Sequence, residues 1–182
     1  MTIGRDDPVT RERVRRRMLI SEAQGYMDLG MPRQTLRSLD ELDQSGGFSD
    51  VDDFHGLVML LRGEALRDLK EYEQAIGPLE SAATAMPGEI HPWVALGWCQ
   101  KRTGRLEQAI RSLESALDRK PNEPLLHFNL ACYWSLARDK PRALQYLVQA
   151  LSLDSEYRRL IDDEPDFDPL REDPDFQAIR EE

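Results

Sequence analysis

The stretch WVALGWCQKRTGRLEQAIRSLESALDRKP, Trp93 to Pro121, decides how the rest of the chain is read. Apolar residues recur at helical spacing from Trp93, stop around Thr103-Gly104-Arg105 and resume at Leu106. Gly104 suits a helix stop because glycine enters the left-handed backbone region without steric cost. Pro121 ends the second helix, since its ring clashes with the preceding turn and it has no N–H to donate. Gly97 and Ala109 stand among bulky apolar neighbours, which suggests either a phosphate-cradling loop or a close helix contact. A phosphate loop needs clustered glycines, as in GxxxxGK or GxGxxG, and neither pattern occurs. The small residues are therefore read as packing: they mark where two antiparallel helices touch, and a larger group there costs about 1–3 kcal/mol.

Sliding the chain along itself by 34 residues reproduces the stretch twice more. Gly63, Gly97 and Ala131 fall one period apart, as do Ala75, Ala109 and Ala143. Leu79, Leu113 and Leu147 form a third column, and Ala82, Ala116 and Ala150 a fourth. Pro87 and Pro121 continue the series, with Ser155 in the last copy. Each unit reads as two helices. In the copy at 124–157, Pro141 sits near a helix start, where proline is tolerated.

These units resemble tetratricopeptide repeats, whose pattern places Trp, Leu, Gly, Tyr, Ala, Phe, Ala and Pro at fixed positions. The match rests on Trp93, Leu96, Gly97, Ala109, Leu113, Ala116 and Pro121 in the best copy. A more degenerate first copy aligns through Leu19, Ala23, Tyr26, Leu39 and Leu42, with Thr35 in place of Ala. The resemblance implies an all-α fold: a right-handed superhelical solenoid of antiparallel helix pairs. Four units are expected at 16–49, 56–89, 90–123 and 124–157, after an extension of the first helix over 1–15. The insertion SGGFSDVDD between the first two units is expected to be a mobile loop. Residues 158–182 are expected to cap the array, with Leu160, Ile161, Phe167, Leu170, Phe176 and Ile179 as apolar anchors against its exposed flank.

The resemblance also implies a groove lined by the first helix of each unit. Carried onto this chain, it offers Leu60, Glu64 and Arg67 in the second unit and His91, Val94, Trp98, Lys101 and Arg102 in the third. The fourth unit offers Phe128 and Cys132. Trp98 and Phe128 would make the apolar centre, and Arg67, Lys101 and Arg102 a basic edge of the kind favoured in binding hot spots. Ile20 with Gln24, or Leu60 with Glu64, stand where carboxylate-gripping members of the family place Lys and Asn. This argues against a clamp for a terminal carboxylate.

Charge narrows the partners. The formal net charge is −10. Residues 1–20 carry +3 (six Arg, three acids) and residues 154–182 carry −8 (twelve acids, four Arg). An acidic chain repels a phosphate backbone, so nucleic acid is not an expected partner. No apolar run is long enough to span a bilayer, and the N-terminus has no apolar core of a secretory signal, so a cytoplasmic protein is expected. Cys99 and Cys132 are expected as free buried thiols.

Nothing points to catalysis. His55, His91 and His127 form no i, i+4 ligand pair, and His91 and His127 are expected at the surface or in the groove. The acids of the tail lack the spacing and glycine of a calcium loop. No metal, cofactor or enzymatic activity is expected. The leading expectation is a scaffold or adaptor that binds a peptide or helix of a protein partner. Alternatives are a small secretion-type chaperone, or a self-assembling structural protein joining the Arg-rich N-terminus of one copy to the acidic tail of another.

Overall fold

A computed structural model describes residues 8–44 and 54–181. The expected loop at 45–53 and the first part of the N-terminal extension lie outside them. The chain divides into two units, Met1–Met86 and Pro87–Glu182. The first contains α1 (Pro8–Asp28), α2 (Pro32–Gln44), α3 (His55–Asp68) and α4 (Tyr72–Ala85). The second contains α5 (Ile90–Arg102), α6 (Leu106–Leu117), α7 (Pro124–Leu136) and α8 (Lys140–Leu153). It continues through a 3-10 turn at Ser155–Tyr157, α9 (Arg158–Ile161), a 3-10 segment at Pro165–Leu170 and α10 (Pro174–Glu181). The fold is all-α and made of helix pairs, with no strand among the described residues.

The period shows in the geometry. α4, α6 and α8 begin at 72, 106 and 140, one 34-residue repeat apart. The turn inside each pair holds one residue in the left-handed region: Gly30 at φ 66°, Lys70 at 64°, Gly104 at 77° and Arg138 at 63°. That conformation lets the next N–H reach back to an orphan carbonyl of the helix end. Glu71 N–H donates to Leu66 O at 2.9 Å, Arg105 N–H to Gln100 O at 2.8 Å and Asp139 N–H to Trp134 O at 3.0 Å. Asp139 then caps α8 by accepting from Arg142 N–H at 3.1 Å, with Pro141 in the first turn.

Within each pair the small residues sit where the helices touch. A Cβ at Gly63 would stand 2.5 Å from Leu79 Cγ, and one at Gly97 would stand 3.3 Å from Leu113 Cγ. The packing reading of the glycine column holds. In the first unit Leu19, Ile20, Ala23, Leu39, Leu42, Val58 and Leu61 form the core. Thr35, which replaces Ala, is buried there with its Oγ1 3.3 Å from both Ala23 O and Met31 O. The hydroxyl donates locally, so a polar atom in the core goes unpunished.

The second unit's core extends from Ala109 through α7 and α8 into the closing segment, where Ile161, Phe167 and Phe176 are fully buried. Two expectations need correction. Leu160 is 51% exposed and anchors nothing, because α9 is one turn long and spends its inward position on Ile161. His127 is buried rather than at the surface: its Nε2 meets Pro121 O at 2.8 Å and so donates, since a carbonyl only accepts. Both cysteines are free and buried, as expected.

Candidate protein-interaction face

In the first unit, α3 carries Leu60, half-buried, and an ion pair between Glu64 and Arg67 at 3.7 Å. Arg67 also reaches Asp68 at 3.2 Å, so its charge is partly compensated on its own helix. In the second unit, α5 presents His91 and Arg102 exposed, with Val94 and Trp98 half-buried. The Arg102 guanidinium lies 5.6 Å from the Trp98 ring centroid, within cation–π range of the indole face.

Phe128 and Cys132 were expected to meet a partner. They meet the chain itself. Phe128 is 4% exposed and Cys132 2%. The closing segment folds back across α7, so that Phe167 packs edge-on to Phe128 at 5.6 Å and Tyr157 tilts against it at 5.2 Å. Phe176 tilts against Phe167 from behind at 5.3 Å. Lys101, the expected basic edge, is taken as well: its ammonium is paired with Asp166 and lies 5.1 Å from the Tyr133 ring centroid. The physical reason is an uncovered apolar flank. Two phenylalanines within reach of it gain more by burial than the acidic tail gains by staying solvated.

The covering segment is internally duplicated, which the sequence reading missed. EPDFDPLRE (164–172) and DPDFQAIRE (173–181) align without a gap over nine residues, identical at five and similar at two more. A search for self-similarity at short periods finds it; one tuned to 34 residues does not. The two copies also repeat their chemistry. Each opens with an acid that caps its own turn: Glu164 accepts from Asp166 N–H at 3.1 Å, and Asp173 from Asp175 N–H at 3.0 Å. Each sets the acid before its phenylalanine on a lysine, Asp166 on Lys101 and Asp175 on Lys140 at 2.8 Å. Each buries its phenylalanine completely. The arginines then tie the copies down, Arg171 donating to Ile161 O at 3.1 Å and Glu164 O at 2.9 Å, and Arg180 pairing with Asp162 at 3.5 Å.

The electrostatics follow from that contact. Lys140 also pairs with Asp173 at 2.6 Å. Its hydrogen bond, with the two backbone N–H donors, holds the Asp173 carboxyl below the usual range, while Asp173 and Asp175 push the Lys140 ammonium up. Burial pushes the Cys132 thiol well up, helped by the charges of Glu164 and Asp166 and opposed by Lys101. Cys132, Glu164 and Asp166 bring one donor atom each within 4.8 Å of one another. Lys101 already supplies the positive charge there and the thiol keeps its proton, so the group reads as an ion pair over a buried thiol.

The family model for tetratricopeptide repeats matches residues 66–130. No curated protein matches the chain in sequence. Among solved structures, a fragment of MamA from Desulfovibrio magneticus RS-1 is 20% identical, with a TM-score of 0.68 over 78% of this chain and 76% of that one. Another MamA structure is 19% identical, with a TM-score of 0.69 over 79% and 81%. YrrB, described as a tetratricopeptide-repeat protein with an unusual peptide-binding site, is 16% identical, with a TM-score of 0.65 over 74% and 66%. At these identities the likeness establishes a shared fold of paired helices.

Proposed function

We propose that this chain, whose residues 66–130 match the tetratricopeptide-repeat model, is a protein-interaction scaffold that holds a peptide or helix of a partner against the first helices of its repeats. One observation carries the reading. The α5–α7 face of the second unit holds a peptide segment, residues 164–170, through an aromatic seat and a lysine. A face that seats such a segment in cis has the chemistry to seat one from a partner. On the same helix as Lys101, Val94, Trp98 and Arg102 offer an apolar and cationic margin. The first unit, by itself, offers Leu60, Glu64 and Arg67 on α3. The experiment is a crosslinked capture from native lysate with the wild type and a Trp98→Ala, Arg102→Ala variant side by side. A partner enriched by the wild type and lost at least tenfold from the variant, with helical content unchanged, supports the reading. Equal capture by both chains refutes this face as the working surface.

A further inference from the structure

Resting on that reading, we infer that the partner segment bears the pattern acid-Pro-Asp-Phe-x-x-aliphatic, and that it binds by taking the place of residues 164–172 in the second unit. The chain writes this pattern twice, and in both copies a lysine of the repeat core meets the acid before a fully buried Phe. The lysine contact recurs with the same acid of the pattern in both copies, while the aromatic seat on α7 belongs to the first copy, Phe176 packing on Phe167. The seat of the first copy is complementary to such a segment in each particular. Lys101 supplies the cation, Phe128 the aromatic edge 5.6 Å from the incoming ring, and Leu170 shows the depth available to the aliphatic residue, 6% exposed.

The cis occupant is built to be displaced. It holds a single six-residue 3-10 segment, and the pieces joining it to α8 are a three-residue 3-10 turn and a four-residue helix. Such pieces have poorer hydrogen-bond geometry than the long helices beneath them. They also follow all four helices of the repeat core, α5 to α8, in the chain, so they can peel away without breaking a helix pair. A competitor meets an occupied seat, so its apparent affinity is the intrinsic one reduced by the fraction of open chains. A high effective concentration keeps the tail in place until a partner with a better segment arrives.

The test uses the full chain and a fluorescent nine-residue peptide of sequence EPDFDPLRE. Anisotropy should report saturable binding to the Phe167→Ala chain at least tenfold tighter than to the wild type, and none for a peptide with its Phe replaced by Ala. In the Phe167→Ala background, Lys101→Glu should weaken binding at least tenfold, and a peptide carrying Asp166→Lys should restore it. A merely structural effect of the lysine would not be rescued by the swapped charge. If Phe167→Ala loses its helical signal, Asp166→Asn, which keeps the ring, replaces it with a smaller gain expected. No saturable binding to a folded, tail-weakened chain overturns the inference. So does a concentration-dependent dimer by light scattering in which tails exchange, since a second copy is then the occupant. Peptide binding that fails while the Trp98- and Arg102-dependent capture persists refutes the pattern alone; equal capture by the wild type and the Trp98→Ala, Arg102→Ala variant refutes the face itself.

Discussion

At Gly63 and Gly97 the same column of the repeat meets two different tolerances. A Cβ at Gly63 would lie 2.5 Å from Leu79 Cγ, inside a core where Leu79 is fully buried and has nowhere to go. Gly63→Ala should therefore destabilise by about 1–3 kcal/mol in urea unfolding, despite alanine's better helix propensity. At Gly97 the first contact is 3.3 Å, which a small shift of Leu113 relieves. There the propensity gain of about 1 kcal/mol offsets the squeeze, and Gly97→Ala should leave the midpoint nearly unchanged. Equal losses at both sites would show that the column is not about close approach. The turn residues make a second comparison. Lys70 and Arg138 hold the left-handed conformation that Gly104 holds freely, and a side chain there costs on the order of 1–2 kcal/mol. Glycine loses part of this through its freer unfolded state. Arg138→Gly should thus raise the melting temperature slightly and Gly104→Ala lower it, and the opposite order would refute the strain argument.

For the elements, the period made the helix pairs legible and left the tail's use of them open. Ala75, Ala109 and Ala143 with their leucine partners recur at a spacing that only stacked pairs explain, so α3 to α8 could be placed from sequence. Phe128 and Cys132 were placed on the inner face of α7, but what covers that face depends on a contact 35 or more residues away, with Phe167. No local pattern encodes such a contact. The duplicated segment was visible in the sequence but had no length in common with the repeat, and Lys140 read only as a helix start. The tail contact makes two further predictions. Cys132 should react slowly with Ellman's reagent in the native chain, being 2% exposed with its thiol pushed up by burial. Phe167→Ala should speed it at least tenfold while Cys99, also buried in α5, stays slow; if both accelerate together, the change is global unfolding. Acid should loosen the second copy. Asp173 titrates lower folded than unfolded, so its pairing contributes above an unfolded value of about 3.9 and is lost as pH falls through the depressed one. The stability advantage of the wild type over Lys140→Ala in thermal melts should hold from neutral pH to about 4 and fade below it, as the pH falls through the depressed value of Asp173. An advantage that persists in strong acid would mean that Lys140 acts by packing.

Over the whole molecule, charge and order along the chain set the behaviour. With a net charge of −10 and an isoelectric point near 4.9, the protein repels itself at neutral pH. Solubility should pass through a minimum near pH 4.9, and light scattering across a pH series would locate it. A minimum displaced well above this value would reveal that the Arg-rich α1 governs association instead. The position of the cover has one more effect, which concerns biosynthesis. α7 is complete at Leu136, whereas Phe176 is added 40 residues later. At a synthesis rate of about 5–20 residues per second, the face around Phe128 exists for roughly 2–8 s before its lid is made. Until then the aromatic edge of Phe128 has no covering ring on its own chain, whereas in the finished protein it is hidden.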